Sequence, residues 1–464
     1  FFFSLQTIEN RNKITMTRRH IFAWSFWIVE NFVMLLPFFT SRMVVAILPN
    51  QITNNRLLAV TRSFARIPKR LVSLDATTME SQSSSSSFSS SSSPLFVDQS
   101  SSASTIHSQV SEYYGKTLQT SNDLKTNACC TGSAPPSYIQ GLLKKIDPTV
   151  LSKYYGCGLC LPQYDLTGLS VLDLGCGAGR DVYLASQMVG PTGRVVGVDM
   201  TKEQLDVARN AQASHAELVG YSNVEFYQGT LERLQDIPEL KSGSFDLIIS
   251  NCVINLCHDK EAVLRHCLTL LRPGGELYFS DVYSNRRVPA SLRADPVLWG
   301  ECLSGALYWN DFENLARKVG FRDPRLVEDA PITISSAPVQ QLLETKGYQG
   351  IKFTSATYRL WNMPSLEPHC EDYGQAVIYK GTLPRYASGW LLDKHHYFET
   401  GRIHTVCGNT YNMLNESVLK DHFEFIGTFE NHYGIFDGCG KTIPYDDAVS
   451  SSNGSKGSSK GGCC

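Results

Sequence analysis

Three glycines crowd into five residues directly after a short apolar run. Gly175, Gly177 and Gly179 follow Val171–Leu174, which is typical of a strand that turns sharply into a helix. Asp199 ends the next β-branched run, 20 residues after Gly179. A carboxylate at this distance can accept hydrogen bonds from both hydroxyls of a ribose. The stretch therefore predicts a βαβ unit whose glycine turn lies close to a ribose-bearing cofactor.

The acids around this turn favour a cofactor without a pyrophosphate. Asp173 lies two residues before the first glycine and Asp181 opens the following helix. Both would repel a phosphate, which needs an open helix N-terminus. The GxGxG spacing resembles the loop of class I S-adenosylmethionine (SAM) methyltransferases. The alternative is that the glycines only make a tight turn and Asp199 only caps a strand.

The neighbouring stretches supply the elements that would position this turn. Thr201 and Gln204 have the spacing of a capping box at the start of a helix. Together with the βαβ unit, the pattern predicts an α/β fold with a Rossmann-like, doubly wound, mostly parallel sheet. Strands are predicted at 171–174, 194–198, 224–227, 245–250, 276–281, 321–327 and 331–334, and helices at 110–118, 135–146, 181–188, 260–271 and 310–319.

Three of the fourteen cysteines fall where such a fold would place a substrate. Cys157 lies between two glycines before the first strand, Cys252 follows the fourth strand, and Cys302 lies past the fifth. Thiolates are soft ligands that select thiophilic ions. Three thiolates without a histidine predict a trigonal pyramidal site that leaves one lone pair exposed, and trivalent arsenic fits that description.

Two simpler interpretations of the cysteines stay open. Zinc would need a fourth ligand, and Cys157-x2-Cys160 has no second CxxC at a suitable spacing. Cys252 by itself could be a small buried hydrophobic residue. Cys157 and Cys302 are harder to explain in this way, because they lie in polar loops beside a glycine or an acid.

The chain from about Asn122 to Gly381 resembles the arsenite methyltransferases. The resemblance implies a SAM domain, an arsenite-binding domain and a less regular C-terminal module. It implies that Cys157, Cys252 and Cys302 bind arsenic(III), and that Cys129 takes part in a disulfide relay. Cys130 and Cys160 are extra thiols, so the identity of the relay thiol stays open. The matching runs are LKTNAC (124–129), KYYGCGL (153–159), LDLGCGAGRDVY (172–183), GVDMTKEQ (197–204), SNCVINL (250–256), LRPGGELYFSDVY (271–283) and WGECLSGALYW (299–309).

The resemblance also implies that SAM lies with its ribose on Asp199 and its methionine moiety over the glycine turn. Met200 and Leu231 would sandwich the adenine, with Glu232 at its edge. Two residues, Asn251 and Val253, would face the sulfonium. Glu301, beside Cys302, either takes thiol protons or is only solvated. The predicted cofactor residues are Asp173, Gly175, Gly177, Gly179, Asp199, Met200, Leu231, Glu232, Asn251 and Val253.

Composition shifts divide the chain into five predicted parts. Residues 1–105 form a largely disordered leader, because 81–104 are almost pure serine. An apolar run at 21–39 is interrupted by Glu30, which disfavours a membrane span. The other parts are a SAM-binding domain with a helical cap (106–284), an arsenite-binding α+β domain (285–369), a β-rich C-terminal module (370–449) and a mobile tail ending in two cysteines (450–464).

These expectations converge on an arsenite methyltransferase that uses SAM and acts on arsenite and methylarsenite. Thioredoxin or glutathione is the expected thiol reductant, and we expect a monomer in the cytoplasm, or in a plastid if the leader is a transit peptide. The net charge of −2 gives no sign of nucleic-acid binding. The alternatives are a SAM methyltransferase for a small organic substrate such as a quinone or sterol, and a non-enzymatic metalloid sensor or buffer.

Overall fold

The computed structural model describes residues 107–108, 110–118, 135–156, 158–293, 296–300, 302–334, 337–345, 348, 350–438 and 444. The chain divides into two units, residues 1–90 and 91–464, and every described residue belongs to the second. The predicted leader and tail lie outside the described residues. The same is true of Cys129, Cys130, Cys157 and Glu301.

An eight-stranded sheet is the centre of the described fold, and its first five strands are parallel. The strand order begins β3-β2-β1-β4-β5, so the sheet extends from both sides of the glycine turn, as the sequence predicts. The ranges are β1 (Ser170–Leu174), β2 (Arg194–Asp199), β3 (Val224–Gln228), β4 (Phe245–Asn251) and β5 (Leu271–Ser284).

The remaining strands, β6 (Leu307–Tyr308), β7 (Arg325–Pro331) and β8 (Phe353–Trp361), continue the same sheet. The order runs β5-β8-β7, and β8 is antiparallel to both neighbours. Our predicted strands at 321–327 and 331–334 are wrong in their bounds, since one strand spans 325–331 between them. Pairing to β8, which only the tertiary structure provides, sets these limits.

Helices cover both faces of the sheet. On one face α3 and α4 pack through Val182 and Leu205, and on the other α5 and α8 pack through Val263 and Phe312. Among the described residues, no helix is both long and apolar enough to cross a membrane. The helices are α1 (Ser137–Leu143), α2 (Pro148–Ser152), α3 (Arg180–Val189), α4 (Lys202–Val219), α5 (Lys260–Leu270), α6 (Ala290–Arg293), α7 (Pro296–Gly300), α8 (Trp309–Val319), α9 (Ala337–Thr345) and α10 (Gly408–Asn415), with a π-helical turn at Tyr113–Thr117.

The C-terminal region is β-rich, as predicted, and also contains α10, which the sequence pattern did not reveal. A three-stranded sheet has the order β13-β10-β14. Arg325 of β7 anchors the region through Asp393, with 3.3 Å between Nη1 and Oδ2. The strands are β9 (Glu371–Asp372), β10 (Gln375–Tyr379), β11 (Gly389–Leu391), β12 (Tyr397–Glu399), β13 (Ile403–Val406), β14 (Phe423–Ile426) and β15 (Gly434–Ile435).

The contact between β2 and α3 depends on the absence of a side chain at position 197. A Cβ on Gly197 would lie 2.8 Å from Cys176 Sγ and 2.9 Å from Val182 Cγ2. We expect Gly197→Ala to destabilise the protein by about 1–3 kcal/mol because it overpacks this contact. Denaturant unfolding of the full chain measures the effect.

Gly141 provides the matched control. It lies in α1, where nothing approaches within 4 Å of an added Cβ. Gly141→Ala should leave stability unchanged or raise it by about 0.5–1 kcal/mol, since alanine loses less backbone entropy in a helix. Equal effects of the two substitutions would contradict the packing argument.

Candidate functional site

The glycine turn between β1 and α3 has the backbone conformation that only glycine adopts readily. The φ angles of Gly175, Gly177 and Gly179 are 70°, 53° and 91°. A Cβ at position 175 would lie 2.6 Å from Val253 Cγ2. The first two glycines leave room beside the carboxyl ends of β1 and β4, whereas Gly179 caps α3 and packs near Phe226.

Asp199 lies at the end of β2, with its carboxylate turned toward this loop. Its Oδ2 accepts a hydrogen bond from Gly177 N at 2.9 Å, and its Oδ1 accepts one from Thr201 N at 2.8 Å. Burial raises the pKa of Asp199, and these backbone donors oppose that effect. A carboxylate can accept about four hydrogen bonds, so the half-buried group keeps capacity for ribose hydroxyls.

A cavity of about 980 Å³, partly open to solvent, lies over these residues. All but one of the predicted cofactor residues line it; the exception is Gly179. The prediction of Gly179 as a direct cofactor contact therefore lacks support in the geometry, since this glycine serves the helix start instead. The lining members of the predicted set are Asp173, Gly175, Gly177, Asp199, Met200, Leu231, Glu232, Asn251 and Val253.

Four acids, Asp173, Asp181, Asp199 and Glu232, line the cavity, against the two bases Lys153 and Arg180. Burial, reinforced by the neighbouring carboxylates of Asp181 and Asp199, raises the pKa of Asp173 well above its usual value. Arg180 is the nearby cation, and its Nε donates to Asp181 Oδ1 at 2.7 Å. This charge distribution suits a cation such as a sulfonium better than a pyrophosphate.

Gln204 lines the cavity, although the sequence pattern predicted it as part of a helix capping box. Thr201 makes no side-chain capping bond, so the predicted capping box is wrong. Gln204 Nε2 instead donates to Tyr114 O at 2.8 Å, while its buried Oε1 accepts no hydrogen bond from any described residue, and Gln204 lines the cavity. A buried acceptor without a partner is costly, which fits a cofactor donor at this place.

Cys252 and Cys302 are brought together, although they are 50 residues apart in sequence. The Cys302 thiol donates to Cys252 O at 3.4 Å, and both residues are buried. Their φ angles are 58° and 62°, a left-handed conformation that costs a non-glycine residue about 1–3 kcal/mol. Such strain is typical of functional sites. Cys252 also lines the cavity and is disulfide-bonded in this structure.

Cys157 lies outside the described residues, but both of its neighbours lie beside Asn251. A Cβ on Gly156 would lie 2.8 Å from Asn251 Cγ. Gly158 O accepts hydrogen bonds from Arg180 Nη2 at 2.8 Å and from Asn251 Nδ2 at 3.2 Å. Asn251 Nδ2 also donates to Tyr154 OH at 2.7 Å. Asn251, the residue before Cys252, therefore contacts both residues that flank Cys157.

The other described thiols lack the features of this pair. Cys160 is fully buried and its Sγ donates to Ser250 O at 3.2 Å, so it has no exposed sulfur for a relay. Burial raises the pKa of Cys160, Cys176 and Cys257 well above the usual value. Within the described ranges, no group of three or more His, Cys, Asp or Glu residues is arranged to hold a metal ion.

Comparison with known proteins agrees with this fold. Residues 165–320 match a family described as a methyltransferase domain, and residues 367–437 match a domain of unknown function. The fold and the cavity thus define a class I SAM-dependent methyltransferase.

Curated relatives and a solved structure narrow the class to a family. An arsenite methyltransferase of Aquipseudomonas alcaligenes is 55% identical over 341 residues, which cover 74% of this chain and 96% of the relative. One from Mus musculus is 42% identical over 328 residues, covering 70% and 84%. The crystal structure of an arsenic(III) SAM methyltransferase from Chlamydomonas reinhardtii is 48% identical with a TM-score of 0.62, and covers 66% of this chain and 100% of that one. The chain belongs to the arsenite methyltransferase family.

The carboxylate at the end of β2 can be tested directly. We expect Asp199→Ala to weaken SAM binding by about 10- to 100-fold, because a charge-assisted contact is lost. Calorimetry with SAM on the full chain measures this. Asp206→Ala is the control, since Asp206 is an exposed acid of α4 that pairs with Lys202. Equal SAM affinity of the Asp199 variant and the wild type would rule out the ribose contact.

Proposed function

We propose that this protein transfers methyl groups from SAM to trivalent arsenic held by cysteine thiolates. The observation that carries the proposal is the contact between Cys302 and Cys252, which lines the cofactor cavity, with both residues in a strained left-handed conformation. The methylated products would be part of arsenic detoxification. The described cavity has room and charge for a cationic cofactor beside Cys252.

The chain's own residues would hold the cofactor as follows. Asp199 accepts the ribose hydroxyls, the glycine turn leaves room for the methionine moiety, and Gln204 Oε1 accepts a donor at the cavity wall. Met200 and Leu231 pack on the adenine, with Glu232 at its edge. When bound, SAM supplies an electrophilic methyl group.

The thiolates would act by ligation and positioning. Cys157, Cys252 and Cys302 bind arsenic through sulfur, and the lone pair on arsenic remains free to attack the methyl carbon. A sulfonium transfers its methyl group without a general base, so no His/Asp pair is needed. Holding nucleophile and methyl in line can supply about 7–11 kcal/mol of the barrier reduction.

Methylation would be coupled to thiol oxidation. Arsenic becomes formally pentavalent when its lone pair forms the new bond to carbon. Two thiolates can then return two electrons to arsenic and form a disulfide, which thioredoxin or glutathione reduces again. Cys129 is our proposed relay thiol. The disulfide at Cys252 supports the need for a reductant, since a sulfur in that state cannot ligate arsenic.

We also propose a monomer that acts on arsenite and methylarsenite. The compartment would be the cytoplasm, or a plastid if residues 1–105 serve as a transit peptide, because the thiols need a reducing environment. A small organic substrate would leave the strained cysteine pair without a purpose, so we favour arsenic over a quinone or sterol. A metalloid buffer would not need the cofactor cavity beside the sulfurs.

The thiol set can be tested by substitution. We expect Cys252→Ser and Cys157→Ser to abolish arsenic methylation and to leave SAM binding unchanged, because serine is a poor ligand for a thiophilic ion. Cys302→Ser should reduce methylation less, since two thiolates and solvent still hold a monomethyl product. Mass spectrometry of the products formed from arsenite, SAM and a thiol reductant measures each activity.

Cys160→Ser is the matched control, because serine can donate the same hydrogen bond to Ser250 O. It should retain methylation. Wild-type turnover by the Cys252 variant would refute the thiolate mechanism. Arsenite binding by the wild type with no methylated product would instead favour a sensor or buffer.

A further inference from the structure

The turn that follows Cys252 is held by one buried acid, Asp281, at the end of β5. Asp281 Oδ2 accepts a hydrogen bond from Asn255 N at 2.9 Å, and its Oδ1 accepts one from Val282 N at 2.8 Å. The side chain is 1% exposed. The carboxylate therefore joins the short 3-10 turn at Ile254–Leu256 to the strand beside it.

Asn255 extends this connection in two directions. Its Nδ2 donates to Val282 O at 2.5 Å, so the side chain also binds β5. Its backbone carbonyl lies against Gly305, where an added Cβ would come within 3.0 Å of the carbonyl carbon. Gly305 lies three residues after Cys302. The same residue thus fixes the turn of one cysteine and contacts the turn of the other.

Lys260 strengthens this junction from α5. Its Nζ donates to Asn255 O at 3.0 Å and to Cys257 O at 2.8 Å, and it lies 5.7 Å from the centre of the Trp299 ring. Trp299 Nε1 in turn donates to Leu256 O at 3.4 Å. The turns that carry Cys252 and Cys302 therefore meet at a cluster that includes the charged groups Asp281 and Lys260.

We infer that Asp281 is a positioning residue for the arsenic-binding thiols, because its carboxylate holds the Cys252 turn against β5 and against the Cys302 turn. This inference rests on the proposed function. Asp281 acts through its hydrogen bond from Asn255 N. Cys252 N also donates to Ser280 O at 2.8 Å, so β5 fixes this turn at both ends.

The strain at both cysteines explains why such an anchor is needed. A left-handed non-glycine residue relaxes unless its surroundings hold it in place. Burial raises the pKa of Asp281 to about 7, while the Val282 and Asn255 N–H groups and Lys260 oppose this effect. Cys257, Glu232 and Arg293 also act on the pKa of Lys260, and Asp281 acts on that of Tyr283. A buried acid whose partners are two backbone N–H groups specifies geometry more than it adds stability.

Asp281→Asn tests the inference, because the amide has the same shape but presents an N–H group to one backbone donor. We expect the affinity of the reduced full-length protein for arsenite to fall by about 10- to 100-fold, as is usual when a residue that orients a ligand is changed. The number of sulfur neighbours of arsenic, measured by X-ray absorption, should fall below three. SAM affinity, measured by calorimetry, should stay unchanged.

Asp246→Asn is the matched control at the opposite end of the sheet. Asp246 Oδ2 accepts a hydrogen bond from Ser170 N at 2.7 Å, so the substitution disturbs a comparable carboxylate bond far from the sulfurs. It should leave arsenic coordination and arsenite affinity unchanged. Lys260→Gln is the second test variant, since it disturbs the same junction without changing Asp281, and it should weaken arsenite binding with SAM affinity retained.

The outcomes separate the two proposals. A wild-type protein that does not bind arsenite through sulfur would overturn the proposed function. A wild type that binds arsenite through sulfur, with the same arsenite affinity in Asp281→Asn or Lys260→Gln, would overturn only the positioning role. If Asp281→Asn also loses SAM binding, Lys260→Gln tests the positioning role. Weaker arsenite binding with SAM affinity retained supports the role, and unchanged arsenite affinity overturns it.

Discussion

The hydrogen bond from Gly177 N–H to the Asp199 carboxylate joins the ends of two neighbouring parallel strands, and the candidate site depends on it. It fixes the glycine turn after β1 relative to the acid after β2. The same carboxylate accepts from Thr201 N at the start of α4. The Asp199 side chain therefore fixes both the glycine turn that lines the cavity and the start of α4. It also places a carboxylate at the cavity.

In contrast to the hydrogen bond at Asp199, the backbone at the cysteine pair is strained. Cys252 and Cys302 are buried in a largely apolar cluster, yet both keep a left-handed backbone that their residue type disfavours. Packing around them must offset this strain. Thiolates select thiophilic ions, and in this fold the two cysteines come from turns that lie 50 residues apart in sequence.

The C-terminal region contacts the central sheet and the segment before β1. Glu276 and Arg359 form a buried pair between β5 and β8, with 3.3 Å between Oε2 and Nε, and the guanidinium lies 5.7 Å from the ring of Trp390. Trp390 Nε1 donates to Gln163 O at 2.5 Å. The region thus contacts Gln163, six residues after Cys157 in the chain. Burying a charged pair such as Glu276 and Arg359 without other contacts is costly. The groups packed around the pair are therefore needed to keep it buried.

The sequence by itself determined the first βαβ unit, the five parallel strands and the acid at the end of β2. These features depend on local patterns: apolar runs, glycines that need a positive φ, and a fixed spacing to Asp199. The sequence also pointed to Cys252 and Cys302, through their places relative to predicted strands and through the family resemblance. Only the tertiary structure decided that β8 inserts between β5 and β7, that Gln204 faces the cavity, and that Asp281 holds a cysteine turn. The physical reason is that strand pairing, burial and side-chain hydrogen bonds join residues far apart in the chain, and no local pattern encodes such partners.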